Sequence, residues 1–197
     1  MAKKKGSIDR REEILNTTMA VLAFEGHASV TMRSIADRIG IHLSTLQYYF
    51  PTKRDLLRST IERSIGPEVR RQDEMALDQK TEPKKLLHRA IRGHLKSSCE
   101  PLAARLFAGL WGMAAHEDDV EDLLNEVYEC DCQRYSALIH KANPRLSQNT
   151  CDRRSVLLLA QLEGLILMAS PGKWASSKFG SIQKELLWLL DTAILAP

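Results

Sequence analysis

Ser44, Thr45, Gln47, Tyr48 and Tyr49 place two hydroxyls, an amide and two phenols within six consecutive residues. A carboxamide can pair with adenine through two hydrogen bonds. Aliphatic hydroxyls reach base edges or phosphate, and phenols suit phosphate oxygens. The chemistry available to this set is therefore the reading of a nucleic-acid duplex. The plainer alternative is a helical hairpin whose polar face is only solvated. Two adjacent tyrosines on a short exposed face are costly unless they touch something, which favours the first reading.

Such a set needs a rigid mount. The stretch from Thr31 to Phe50 predicts two short helices joined by a tight turn. Thr31 is placed to cap the first, Ile35, Ala36 and Ile39 form its apolar stripe, and Gly40 suits the left-handed backbone that stops a helix. The second cannot run past Phe50, because Pro51 lacks an amide N–H and disfavours helical backbone at the residue before it. On its wheel Leu46 and Phe50 share one side, Ser44, Gln47 and Tyr48 the other, with Thr45 and Tyr49 flanking.

The flanks continue the pattern. Asp9-x-x-Glu12 predicts the start of a helix whose Ile14, Leu15, Thr18, Met19 and Leu22 line one face and which ends at Gly26. Thr52-x-x-Asp55 is a capping box that opens a fourth helix directly after Pro51. Lys53 and Arg54 fall in its first turn, where cations oppose the helix dipole and a nearby phosphate would explain them.

Carried by Gly26, Thr31, Arg33, Ile35, Ala36, Gly40, Leu46, Tyr49, Phe50, Lys53 and Leu56, the stretch from Arg10 to Leu57 resembles the TetR family of bacterial transcription regulators. The resemblance implies an all-α fold of about nine helices. A helix-turn-helix domain would cover residues 1–51, and a ligand-binding and dimerisation domain residues 52–197, with 52–75 as the connecting helix. It implies that Arg33 meets phosphate or a base edge and Lys53 meets phosphate. Residues 42–45 and Gln47 would read bases, and Tyr48 and Tyr49 grip the backbone. Three positions depart from the family pattern. His42 replaces the usual Ser or Thr cap and is expected to contact backbone or phosphate. Leu43 replaces a polar residue and either meets a thymine methyl or extends the Leu46 stripe. Gln47 stands where Tyr is frequent.

Charge is distributed accordingly. Residues 1–64 hold 11 Lys and Arg against 7 Asp and Glu, the remainder 17 against 18, within a net charge of +3. A basic small domain suits phosphate binding, which releases counterions. Lys3, Lys4 and Lys5 form an arm that is either a groove contact or a solubilising terminus. No signal peptide or membrane span is visible, because the apolar run from Val156 to Ala169 is interrupted by Gln161 and Glu163. A cytosolic protein is expected. The four cysteines suggest no disulfide framework, and Cys130 and Cys132 would point apart on one helix.

Beyond Phe50 the breakers Gly66-Pro67, Pro83, Pro101, Asn143-Pro144, Pro171-Gly172 and Gly180 leave helices near 52–75, 83–98, 101–114, 117–141, 151–170 and 181–196. Gly66-Pro67 is expected to kink or end the first. Glu117, Asp118 and Asp119 suit a helix N-terminus. The segment from Val156 is apolar nearly all round, and the last helix carries a broad stripe. The economical reading is a four-helix homodimer interface made by Leu158, Leu162, Leu165, Ile166, Leu186, Leu189, Leu190 and Ile194. Two copies could then read successive major grooves of a palindromic operator.

An effector pocket is implied mainly by the resemblance, for a small apolar or amphipathic molecule bound among helices from about Ile65 to Ser170 that shifts the fourth helix. Its candidate lining is Phe107, Leu110, Trp111, Met113, Leu124, Tyr128, Leu162, Met168 and Trp174, with His94, Asn125, Gln161 and Glu163 as polar anchors. Each of these could equally be core or rim. No cofactor or metal is expected. An all-helical enzyme lacks any phosphate loop, nucleophile elbow or His-Glu-x-x-His here, and leaves residues 31–50 unexplained. A helical adaptor that binds only protein predicts no affinity for duplex DNA.

Overall fold

The computed structural model describes residues 9–169 and 179–196. These form nine α-helices and no strand: α1 Arg10–Glu25, α2 Met32–Arg38, α3 Leu43–Tyr49, α4 Lys53–Leu77, α5 Pro83–Ser98, α6 Pro101–Ala114, α7 Asp118–Ala142, α8 Gln148–Ala169 and α9 Phe179–Leu189. A wider turn, Leu190–Ile194, continues α9 and closes with Leu195 N–H donating to the Leu190 carbonyl at 2.9 Å. No described helix is long and apolar enough to cross a membrane. The Lys3–Lys5 arm and Trp174 lie outside the described residues.

Two compact units emerge. The first holds the chain up to Ser64 together with Arg105–Leu123, and the second holds Ile65–Ala104 together with the chain from Leu124 on. In the first, Ile14, Leu15 and Leu22 of α1, Ile35 of α2, Leu46 of α3, Leu56 and Leu57 of α4 and Leu106, Leu110 and Met113 of α6 are all buried. Burial of this kind contributes about 1.5–3 kcal/mol per large apolar side chain before entropy is subtracted. Gly109 of α6 lies so close to Leu22 that an added Cβ would stand 2.7 Å from its Cδ1.

In the second unit Leu86, Leu87, Ile91 and Leu95 of α5, Tyr135, Leu138 and Ile139 of α7, Leu158 and Leu162 of α8 and Leu186, Leu190 and Ile194 at the chain's end share one core. The end of the chain is also pinned by polar contacts. Arg154 donates to the carbonyls of Ile194 and Ala196, Asn143 donates to that of Leu195 at 2.9 Å, and Asp191 accepts from Lys84 and meets His88. A cation on the final carbonyls complements a helix C-terminus.

Two helices depart locally from expectation. Gly66-Pro67 neither ends nor divides α4, which runs through Pro67 to Leu77. Asp9 caps α1 alone, accepting from Arg11 N–H at 3.0 Å, while Glu12 turns instead to Arg63 at 3.0 Å.

Candidate nucleic-acid interface and effector site

The helix-turn-helix is built by caps and a turn. Thr31 accepts from Ser34 N–H at 3.0 Å and Ser34 Oγ accepts from Thr31 N–H at 3.0 Å, a closed capping box that starts α2. Gly40 takes φ +68°, the left-handed conformation that turns the chain, and Ile41 N–H reaches back to the Ala36 carbonyl at 3.0 Å. His42 then starts α3 with no side-chain cap. Below α3, Leu46 and Phe50 are buried and fix it from one side. Thr52 and Asp55 exchange hydrogen bonds and start α4, as the spacing predicts.

On the outer side His42, Ser44, Thr45, Gln47, Tyr48 and Tyr49 are all exposed, and Leu43 is half-buried. Tyr48 is 82% exposed and Tyr49 36%, with their rings edge to face at 5.4 Å. Each ring orients the other, so the pair projects as a unit. Thr31 and Arg33 of α2 are exposed on the same unit. Arg11 of α1 stacks over Phe50 at 5.3 Å, tying α1 to the end of α3.

Lys53 behaves differently from the expectation of a waiting phosphate ligand. Its Nζ is held by both oxygens of Glu117, at 2.8 and 2.9 Å, and Arg54 donates to the Asp119 carbonyl. Glu117, just before α7, therefore supplies the negative charge beside Lys53, while a backbone carbonyl of α7 accepts from Arg54.

The interface expected on α8 and α9 needs correcting. Leu158, Leu162, Ile166, Leu186, Leu190 and Ile194 are buried in the chain's own core, and Leu165 is half-buried. Of that set Leu189 alone is exposed. The apolar surface left outside is the opposite face: Val156, Leu157, Leu167 and Met168 of α8, spaced over Ala160, Gln161 and Gly164, with Trp188 and Leu189 of α9. A helix that is apolar all round gives no sign in its sequence of which side its own chain will claim.

The expected pocket also resolves differently. Phe107, Leu110 and Met113 are buried, and Trp111 half-buried, in the first unit. Asn125, Gln161 and Met168 are exposed, and Met168 and Gln161 belong to the outer stripe of α8. His94, Tyr128, Leu162 and Glu163 belong to the second unit, as does the buried Leu124. Around His94 and Glu163 gather buried polar groups that sequence reasoning passed over: Glu68 and Gln72 of α4 and Asp131 and Tyr135 of α7. His94 Nε2 stands 3.3 Å from Glu163 Oε1, and the His94 and Tyr135 ring centroids are 6.0 Å apart.

Burial holds the Glu68 carboxyl above its ordinary value, against the pull of Arg71, and does the same for Asp131 against His94 and Arg134. Burial, reinforced by the Glu163 charge, pushes the Cys99 thiol up to about 11. Asp131 and Tyr135 lie four apart on a helix face otherwise filled by Leu138 and Ile139. An acid inside an apolar stripe was the signal available.

A family model described as "Bacterial regulatory proteins, tetR family" matches residues 14–60. The transcriptional repressor KstR of Mycobacterium tuberculosis is 31% identical over 126 residues, which cover 61% of this chain and 57% of that protein. The chain thus spans little more than half the length of this curated relative. A protein from Saccharomonospora viridis solved in complex with choline superposes with a TM-score of 0.69 at 21% identity, over 94% of this chain and 97% of its own. A TetR transcriptional regulator from Legionella pneumophila superposes at 0.70 with 14% identity, over 94% and 97%. Residues 14–60 thus form a helix-turn-helix domain of the tetR family of bacterial regulatory proteins, set in a fold that the chain shares with these solved structures over nearly its whole length.

Proposed function

We propose that the chain is a sequence-specific transcription repressor that binds a palindromic operator as a homodimer and is released by a small-molecule effector. The observation that carries this reading is α3, a two-turn helix anchored from behind by Leu46 and Phe50 and presenting Ser44, Thr45, Gln47, Tyr48 and Tyr49 outward. Gln47 reads a base, Ser44 and Thr45 reach base edges or phosphate, and Thr31, Arg33, His42, Tyr48 and Tyr49 position the helix on the backbone. Lys53 joins them only by giving up Glu117.

Dimerisation is supported by the outer apolar stripe of α8 and α9. Buried against a second copy, it would leave two reading helices to enter successive major grooves about 34 Å apart. The effector reading is supported by the buried polar groups around His94 and by the choline held by the S. viridis protein. An effector that binds better to a dimer whose heads cannot span two grooves lowers operator occupancy by shifting that population.

The test is selection of bound sequences from a random duplex library at two salt concentrations, with wild type, Gln47→Ala and Tyr49→Phe. The expected result is an enriched palindrome whose base preference changes with Gln47→Ala and whose binding weakens across all sequences with Tyr49→Phe. Weak salt-sensitive binding with no enrichment would reject sequence-specific regulation.

A further inference from the structure

The core of the second unit contains more polar chemistry than a core needs. Glu68, Gln72, His94, Asp131 and Tyr135 are 4%, 3%, 7%, 7% and 0% exposed. Four of their atoms have no partner with good hydrogen-bond geometry: Glu68 Oε1, Gln72 Oε1, His94 Nε2 and Tyr135 OH, although the Gln72 amide lies close enough to Glu68 and Tyr135 to act on both. Such atoms are rare in folded proteins, because each gave up water for nothing. Four together, on three different helices, mark a place where something else supplies the missing bonds.

The charge around them has a sign. Facing the cluster are Glu68 and Arg71 from α4, His94 from α5, Asp131 and Arg134 from α7 and Glu163 from α8. Arg71 pairs with Glu68 Oε2, and Arg134 pairs with Asp131 at 2.9 Å while also holding Asp73 at 3.0 Å. Glu163 has His94 beside it at 3.3 Å, without hydrogen-bond geometry. Three carboxylates thus meet two guanidiniums, one of them shared with a fourth acid. The unpaired atoms agree: two are oxygen acceptors, and the imidazole nitrogen and phenol can act either way. Burial raises the Glu68 and Asp131 carboxyls, and the neighbouring Arg71, His94 and Arg134 offset it only in part.

The sequence makes room for this arrangement. Gly93 of α5 faces Glu68 so closely that an added Cβ would stand 2.1 Å from Oε1. Only a residue without a side chain lets the Glu68 carboxylate sit there. Among the described residues no three His, Cys, Asp or Glu side chains group to hold a metal ion. A quaternary ammonium offers no N–H to the unpaired oxygens and would rely on an aromatic cage, where the cluster supplies the His94 and Tyr135 rings tilted at 51°.

Resting on the effector reading above, we propose that this cluster is the effector site and that it takes a small organic cation with N–H donors, a protonated amine, held by Glu68, Gln72, Glu163 and Tyr135. The ammonium donates to Glu68 Oε1 and the Gln72 carbonyl oxygen, and its charge completes the balance with Glu163.

Calorimetry on the full chain near neutral pH, with 1-aminobutane, 1,4-diaminobutane, tetramethylammonium and butanoate as probes, tests this. Saturable binding of at least one amine is expected, with tetramethylammonium about tenfold or more weaker and butanoate not bound. Glu68→Gln and Glu163→Gln should each weaken the amine by about tenfold or more while keeping the helical circular-dichroism spectrum. Should the deeply buried Glu68 variant fail to fold, Glu163→Gln, at a site 17% exposed, and the four-probe comparison still decide. Butanoate or tetramethylammonium bound as tightly as the amines, no saturable amine binding up to ~10 mM, or unchanged affinity in folded Glu163→Gln would each overturn the proposal. Operator release is scored separately. Amines that bind without releasing DNA would uphold the site and sink the effector reading, whereas release by another small molecule with no amine bound would do the reverse.

Discussion

At the scale of single residues, Lys53 and Glu68 are both charges whose partners decide what they can do. Lys53 is half-buried and chelated by Glu117, so a DNA phosphate would have to displace a carboxylate to reach it. Glu117→Gln removes that competitor. Operator and non-operator duplexes should then both bind more tightly, with a salt slope steeper by about one ion, and with sequence preference unchanged. Fluorescence anisotropy over a salt series measures this, and an unchanged slope would show that Lys53 stays away from phosphate. Glu68 presents the opposite case, an acid whose carboxyl burial raises above its ordinary value of 4.5 against the pull of Arg71. A carboxyl with a raised folded-state value binds its proton more tightly folded than unfolded. Its contribution to stability is greatest below about 4.5 and is lost as pH rises through the folded value. Glu68→Gln removes this dependence. In denaturant melts the variant should gain on wild type as pH is raised from about 4 to 7, and a constant difference between the two would refute the assignment.

At the scale of elements, the helix-turn-helix rests on Thr31 and Gly40. Thr31→Ala removes the hydroxyl that accepts from Ser34 N–H, leaves Ser34 Oγ accepting from the backbone N–H of residue 31, and should cost about 1 kcal/mol in chemical denaturation. At Gly40 an added Cβ would meet nothing within 4 Å, so Gly40→Ala tests backbone conformation alone and should cost about 1–2 kcal/mol. These elements were legible in the sequence because their signals are local: a cap, a glycine at a left-handed turn and a proline that stops α3 fall between Thr31 and Pro51. Helix spans farther along were legible for the same reason, since Pro83 and Pro101 begin α5 and α6. The buried polar cluster was legible only in part: His94 and Glu163 stood out as polar anchors and Asp131 interrupts an apolar stripe, but four helices contribute to the cluster and Glu68 alone resembles an ordinary solvated charge. Sidedness was hidden for another reason. Leu157 and Leu158 are identical as letters, and only packing makes one outer and the other core.

That difference between neighbours supplies the decisive experiment at the scale of the whole molecule. Leu157 is 59% exposed and Leu158 fully buried. If a second copy covers the outer stripe of α8 and α9, a charge at Leu157 must be desolvated only in the dimer, whereas truncating Leu158 opens a cavity in every copy. Leu157→Glu should therefore leave the thermal unfolding of dilute protein nearly unchanged, shift sedimentation toward the monomer and weaken operator binding by at least about a hundredfold, because one helix-turn-helix then reads one groove. Leu158→Ala should instead lower stability by about 2–5 kcal/mol, with any loss of DNA binding following unfolding. Trp188→Glu on α9, also 59% exposed, should reproduce the Leu157→Glu behaviour. A protein that stays dimeric with glutamate at both 157 and 188 would place the interface elsewhere, and the spacing of operator half-sites would then have to be explained by a different surface.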